Sequence, residues 1–118
     1  MYTEKREFHR INITCKITIL FNERQLVFNC HTENLSVSGA MVTIEKETTP
    51  SEKVDLELFL WHREVPLKCR GEIAWVNEIA PKEVKPRLFN AGIKFIEISD
   101  SDKNEIKDFV NTMISTWQ

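Results

Sequence analysis

Two groups of residues in this chain have the types and spacing to hold a ligand. The first is Arg6-Glu-Phe-His-Arg10, two arginines four apart with Lys5 directly before them. A guanidinium is a planar fork of N–H donors that matches phosphate oxygens and the O6/N7 edge of guanine. A lysine at the same place supplies charge without the fork. The second is Asn34-Leu-Ser-Val-Ser-Gly39. Asn34 and Ser36 stand two apart, so on an extended backbone both point to one side. Short polar side chains there can bond a ligand edge or their own backbone. Gly39 permits a positive φ or the close approach of another group. Each group alone has an ordinary reading: two arginines on a solvated face, and a polar turn ending in glycine.

Other chemistry is harder to find. Ser36 or Ser38 as a nucleophile needs a base and an oxyanion site, and no G-x-S-x-G elbow or recognisable carboxylate pair is present. His9, His31 and His62 lie far apart, without metal-ligand spacing. Cys15, Cys30 and Cys69 form no C-x-x-C pair and read as buried thiols of a reducing compartment, although Cys15 and Cys30 could face each other across a hairpin. Trp61, Trp75 and Trp117 could stack on bases, but their places in strand and helix patterns favour packing or partial burial. The residue types therefore point to binding and not to catalysis.

The elements that must position these residues follow from periodicity. Ile11, Ile13, Cys15, Ile17, Ile19 and Phe21 alternate with mostly polar residues and predict one long strand. Asn22 to Gln25 reads as a tight hairpin loop, and Leu26, Phe28 and Cys30 as a second strand. His31 to Gly39 reads as a polar break. Strands are expected at Ala40 to Ile44, at Val54 to Leu60, at Val65 to Glu78 with a bend at Gly71, and at Phe89 to Ile98. The loops between them hold Pro50, Pro81 and Pro86. Ile106, Phe109, Val110, Met113, Ile114 and Trp117 then follow one face of a helix. Asp102 with Glu105 suggests its capping box, with Ser101 the alternative cap. Six or seven strands and one helix predict an all-β, mainly antiparallel barrel or sandwich closed by the helix.

The 118 residues suit one domain. Its parts are an N-terminal segment at 1–10 that is mobile without ligand, a barrel at 11–98 and a helix at 101–117. With 42% hydrophobic and 29% charged residues the chain is expected to be globular. Sixteen basic against 18 acidic residues leave a net charge of −2, so any anion site must be local. No apolar stretch is long enough to cross a bilayer and the start is no signal peptide, which predicts a cytoplasmic protein without membrane insertion.

Taken together and in order, Arg6/Arg10 and Asn34/Ser36/Gly39 complete the R-x-x-x-R and [D/N]-x-S-x-x-G motifs of the PilZ domain family, which the chain resembles along essentially its whole length. The ending Ala91-Gly-Ile-Lys-Phe-Ile-Glu-Ile-Ser99 with its following helix is similar to the family's last strand and C-terminal helix. The resemblance implies a PilZ-like barrel of six or seven strands and a receptor for cyclic di-GMP, with no catalytic residues, metal or cofactor. It implies that Arg6 and Arg10 wrap over the ligand, that Asn34 and Ser36 hold a guanine, and that Gly39 lets the chain turn close to it. Lys5 occupies the place where an arginine favours a stacked pair of ligands, which leaves one or two cyclic di-GMP per protomer open. His9 could stack on a base, contact phosphate or stay exposed.

An unidentified protein effector in motility, adhesion or exopolysaccharide control would receive the signal, from a monomer or a homodimer. Two other readings stand beside this one. One is a PilZ-like protein-interaction module without nucleotide. The other is a small barrel for single-stranded nucleic acid, against which the acidic balance counts.

Overall fold

The computed structural model describes residues 10–79 and 83–117, the last two of these in backbone only. Six strands follow in order: β1 Lys16–Phe21, β2 Leu26–Ser36, β3 Gly39–Ile44, β4 Lys53–Phe59, β5 Leu67–Glu78 and β6 Phe89–Glu97, and then α1 Asp100–Trp117. They close into an antiparallel barrel with the strand order β1-β2-β3-β6-β5-β4. Closure pairs every strand edge, and period-two alternation fills the interior with one row per strand. Ile17, Ile19 and Phe21 on β1 meet Val54, Leu56 and Leu58 on β4 inside. Each such side chain contributes roughly 1.5–3 kcal/mol by leaving water.

The helix completes the core with Ile106, Phe109 and Val110, all buried, and with Met113 and Ile114 partly so. Its start differs from expectation. Ser99 caps it, its Oγ accepting from the Asp102 amide at 3.1 Å, and Asp102 sits within the first turn. The anticipated cap fell two or three residues late because Ser99, Ser101 and Asp102 are all competent cap residues, and only backbone geometry decides among them.

The first strand also differs. Alternating burial runs from Ile11 as expected, but the ladder begins only at Lys16. Residues 10–15 are tied down otherwise. Ile11 exchanges two backbone hydrogen bonds with Leu35, at 3.0 and 2.9 Å. Buried Thr32 donates its hydroxyl to the Ile13 carbonyl at 2.6 Å and accepts from the Cys15 amide at 2.9 Å.

The supposed polar break at 31–36 is therefore strand. Its inward position is taken by a threonine that spends its polarity on the neighbouring chain, while His31 and Glu33 face out. Thr32→Val is expected to strand a buried carbonyl and a buried amide. Each costs about 1–3 kcal/mol. A loss of roughly 2–4 kcal/mol in urea unfolding is expected, and an unchanged midpoint would show that water satisfies both groups.

The three cysteines are free thiols, and Cys15 does not oppose Cys30, whose partner across the hairpin is Ile17. Burial pushes Cys15 and Cys30 up to about 11, and burial aided by Asp102 and Asp55 pushes Cys69 up to about 12. All three are protonated and unreactive at neutral pH.

Candidate functional site

Four strands place one straight row across the outside of the barrel. Asn34 on β2 pairs with Met41 on β3, Met41 with Gly92 on β6, and Gly92 with Trp75 on β5. Two bulges make this row. The register shifts between Thr32 and Asn34 and again between Ile73 and Trp75. Without the first shift, Asn34 would follow Thr32 into the barrel; without the second, Trp75 would follow Ile73. Bulges re-aim side chains in this way, and here they turn an amide and an indole outward at the two ends of one row.

The row floors a cavity of about 420 Å³, a size typical of small-molecule sites. Arg10 reaches over it, donating from Nη1 to Asn34 Oδ1 at 2.7 Å. The structure thus joins the second arginine of the first motif to the asparagine of the second. Lys94 lines the same cavity from β6, exposed and opposite Gly39. No carboxylate is among the described lining residues. In a protein of net charge −2, a pocket lined by two cations and, among the described residues, no acid has a local charge that suits an anion.

Trp75 forms one wall, 40% exposed, its indole laid across Gly92. A Cβ on Gly92 would come within 2.2 Å of the indole Nε1, so only glycine lets the ring lie this close to the sheet. Lys94 and Met41 line the cavity without standing out in the sequence, whereas Trp75 is readable there as a surface that could stack on bases. Trp75 was expected to pack or be partly buried, and the second bulge is what exposes it. Trp61 is likewise exposed, at 58%. The side chain of Trp117 lies outside the described residues.

The other motif residues divide. Ser36 is fully buried and does not line the cavity. Its hydroxyl lies 2.9 Å from Ser38 Oγ, accepts from the Ser38 amide at 3.2 Å and reaches the Gly39 carbonyl at 3.4 Å, which fixes the β2–β3 turn. By register Ser36 shares the Asn34 side of β2, as expected, but it is covered by the turn and held out of the cavity. Ser38 is the serine that lines the cavity.

Gly39 has no positive φ. Its role is close approach: a Cβ there would stand 2.2 Å from the Ile93 carbonyl oxygen of the facing strand. Lys5, Arg6 and His9 lie outside the described residues, as does the rest of the expected clamp before Arg10. Among the described residues no cluster of His, Cys, Asp or Glu could hold a metal ion, and no helix is long and apolar enough to cross a membrane.

Fold and site together define a class: a closed six-stranded antiparallel barrel with a C-terminal helix and an anion-compatible cavity on its outer face. The chain belongs to the PilZ domain family, whose model matches residues 4–112. Among solved structures it is similar to the Bacillus subtilis inhibitor of motility MotI/DgrA, with a TM-score of 0.78 and 14% identity, over 98% of this chain and 55% of that one. It is similar to the PilZ domain of YcgR from Escherichia coli, solved with c-di-GMP, with a TM-score of 0.73 and 10% identity over 96% of this chain and 94% of that one. It also resembles K. pneumonia MrkH, with a TM-score of 0.77 and 11% identity, over 98% of this chain and 52% of that one. The chain thus spans about half the length of MotI/DgrA and MrkH. No curated protein matches it by sequence.

Proposed function

We propose that this chain is a cyclic di-GMP receptor that binds the nucleotide across the Asn34–Met41–Gly92–Trp75 row and passes the change to a protein partner in the cytoplasm. The observation that carries this reading is the cavity itself: Arg10 and Lys94 over a carboxylate-free floor, beside a flat indole. A cyclic dinucleotide has two phosphates and two purine faces. Arg10 has a fork to offer a phosphate or a guanine edge, Lys94 a point charge, and Trp75 a stacking surface. Asn34 Oδ1 already accepts from Arg10 and can orient the fork toward the ligand.

Arg6, Lys5 and His9 would add to the site from the preceding segment, with Ser36 and Gly39 shaping the turn beneath it. Ordering that segment on the barrel would change the shape and charge of one surface, which a partner can read. The family of the chain and the c-di-GMP named for the YcgR domain support the choice of ligand. Nothing in the site supports catalysis, and binding is its proposed role.

Isothermal titration tests this. Saturable binding of cyclic di-GMP, little competition from cyclic di-AMP, and weakening as salt shortens the screening length are expected. The stoichiometry decides between one ligand and a stacked pair. No heat from folded protein would discard the receptor reading in favour of a protein-interaction module without nucleotide.

A further inference from the structure

A second groove, of about 390 Å³, lies where the turn after β4 meets α1, and none of its lining residues belongs to the nucleotide cavity. Trp61, Phe109 and Met113 give it an apolar floor, and Asp108 and Thr112 stand on its helix side. Trp61 is exposed yet fixed. Its indole N–H donates to the Thr14 carbonyl at 3.1 Å, and its ring meets Phe109 edge to face at 5.9 Å. His62 stacks on the same Phe109, at 5.7 Å and 20°. An immobilised aromatic side chain with open surface forfeits little rotamer freedom when something lands on it, and tryptophan is enriched among interface hot spots.

The charge of the groove says what should land there. Glu105 is already engaged by Arg63 at 3.3 Å and by His62 at 3.7 Å, and Asp102 lies 3.9 Å from the same Arg63. Asp108 is different. The residues three and four away on the helix are Asn104, Glu105, Asn111 and Thr112, so no cation can reach it along α1. No ion pair joins it to any described residue. A carboxylate that no cation among the described residues pairs with, in one groove with a fixed indole, is complementary to one group above others: a guanidinium or ammonium that lies on the ring and pairs with the carboxylate.

We propose that this groove docks a basic segment of a partner protein, with an arginine or lysine seated between Trp61 and Asp108. Its link to the nucleotide, which rests on the receptor reading above, runs through residues 10–15. That short segment carries Arg10 at one end and, four residues on, the carbonyl that holds Trp61, and Thr32 staples it at Ile13 and Cys15, on either side of that carbonyl. A ligand held by Arg10 would further restrain this segment and with it the anchor of Trp61.

The test uses the full chain labelled with ¹⁵N, the indole resonance of Trp61 assigned by Trp61→Phe. The probe is a five-residue peptide with two arginines, its control the same peptide with glutamates. Saturable shifts at the Trp61 indole are expected with the arginine peptide alone. Binding about fivefold or more weaker is expected in Asp108→Lys, an exposed helix position that should leave the fold intact. Cyclic di-GMP should tighten the peptide about twofold or more.

Equal binding of the glutamate peptide, or arginine-peptide shifts that leave the Trp61 indole still, would overturn the proposal. So would self-association of the free chain abolished by Asp108→Lys, which would make a second copy the occupant. Peptide binding without any nucleotide binding would uphold the groove and remove the receptor reading, while binding of both without mutual effect would overturn only the link through residues 10–15.

Discussion

Replacing Arg10 by alanine is expected to weaken cyclic di-GMP binding by about 10–150-fold while leaving the barrel folded. A hydrogen bond involving a charged group contributes about 1.5–3 kcal/mol, which gives that range directly. The substitution also deletes the partner that holds Asn34 Oδ1 at 2.7 Å, so the amide loses its orientation as well. Arg10 lies before the first ladder residue, Lys16, and is not part of the core, so the thermal midpoint should move little. Arg10→Lys separates fork from charge: it should recover part of the affinity, with a salt dependence close to that of the parent. The measurements are titration calorimetry and a thermal melt on each variant. Parental affinity in folded Arg10→Ala would remove Arg10 from the site.

The largest effect on stability is expected at Gly39, and a second glycine supplies its control. In Gly39→Ala the new Cβ meets the Ile93 carbonyl oxygen at 2.2 Å, and Ile93 C and Lys94 Cα at 3.2 and 3.3 Å. All three atoms are backbone of β6, held in the ladder that pairs Gly39 with Lys94. No rotamer relieves such a clash, so the two strands must separate. Overpacking costs typically about 1–3 kcal/mol and sometimes more, and a rigid backbone neighbour places this case at or beyond the upper end. A fall in Tm of roughly 10 °C or more is expected by circular dichroism.

Gly92→Ala brings a Cβ equally close, but to the Trp75 indole, at 2.2 Å from Nε1 and 2.5 Å from Cε2. That ring can swing off the sheet into solvent. Stability should fall by only about 1 kcal/mol, a typical value for a point substitution. The stacking wall of the cavity would be lost, with nucleotide affinity down about tenfold, as loss of one base–aromatic stack of 1–3 kcal/mol implies. The two glycines should thus separate stability from binding. An unchanged Tm in Gly39→Ala, or unchanged affinity in Gly92→Ala, would contradict the roles given to the β3–β6 approach and to Trp75.

Much of this architecture is legible before any coordinates. The alternation of Ile17, Ile19 and Phe21 with outward residues, and of Val54, Leu56 and Leu58 on β4, matches their burial in full. The helical stripe from Ile106 to Val110 is the buried face of α1. These segments were readable because one face is uniformly apolar. Residues 31–36 were not, because Thr32 sits inside and satisfies itself on Ile13 and Cys15, a contact between positions 17 and 19 apart that no local pattern encodes. The site was half legible for the same kind of reason. Arg10 and Asn34 announce themselves by type and spacing. Trp75 and Lys94 join them only through strand register, and the bulges that set it leave no local mark at Thr32/Asn34 or Ile73/Trp75. The glycine at Gly71, by contrast, did signal the register shift beside it.

The most direct single measurement is a ¹H–¹⁵N titration of the chain with cyclic di-GMP, following the Trp75 indole N–H, the Asn34 side-chain amide and the backbone amides of Met41 and Gly92. Saturable shifts that peak on this row, with the barrel face around Thr18 and Glu57 unmoved, are the expected result. Shifts that peak elsewhere, or none from the folded chain at saturating nucleotide, would contradict the assignment of this row as the nucleotide site.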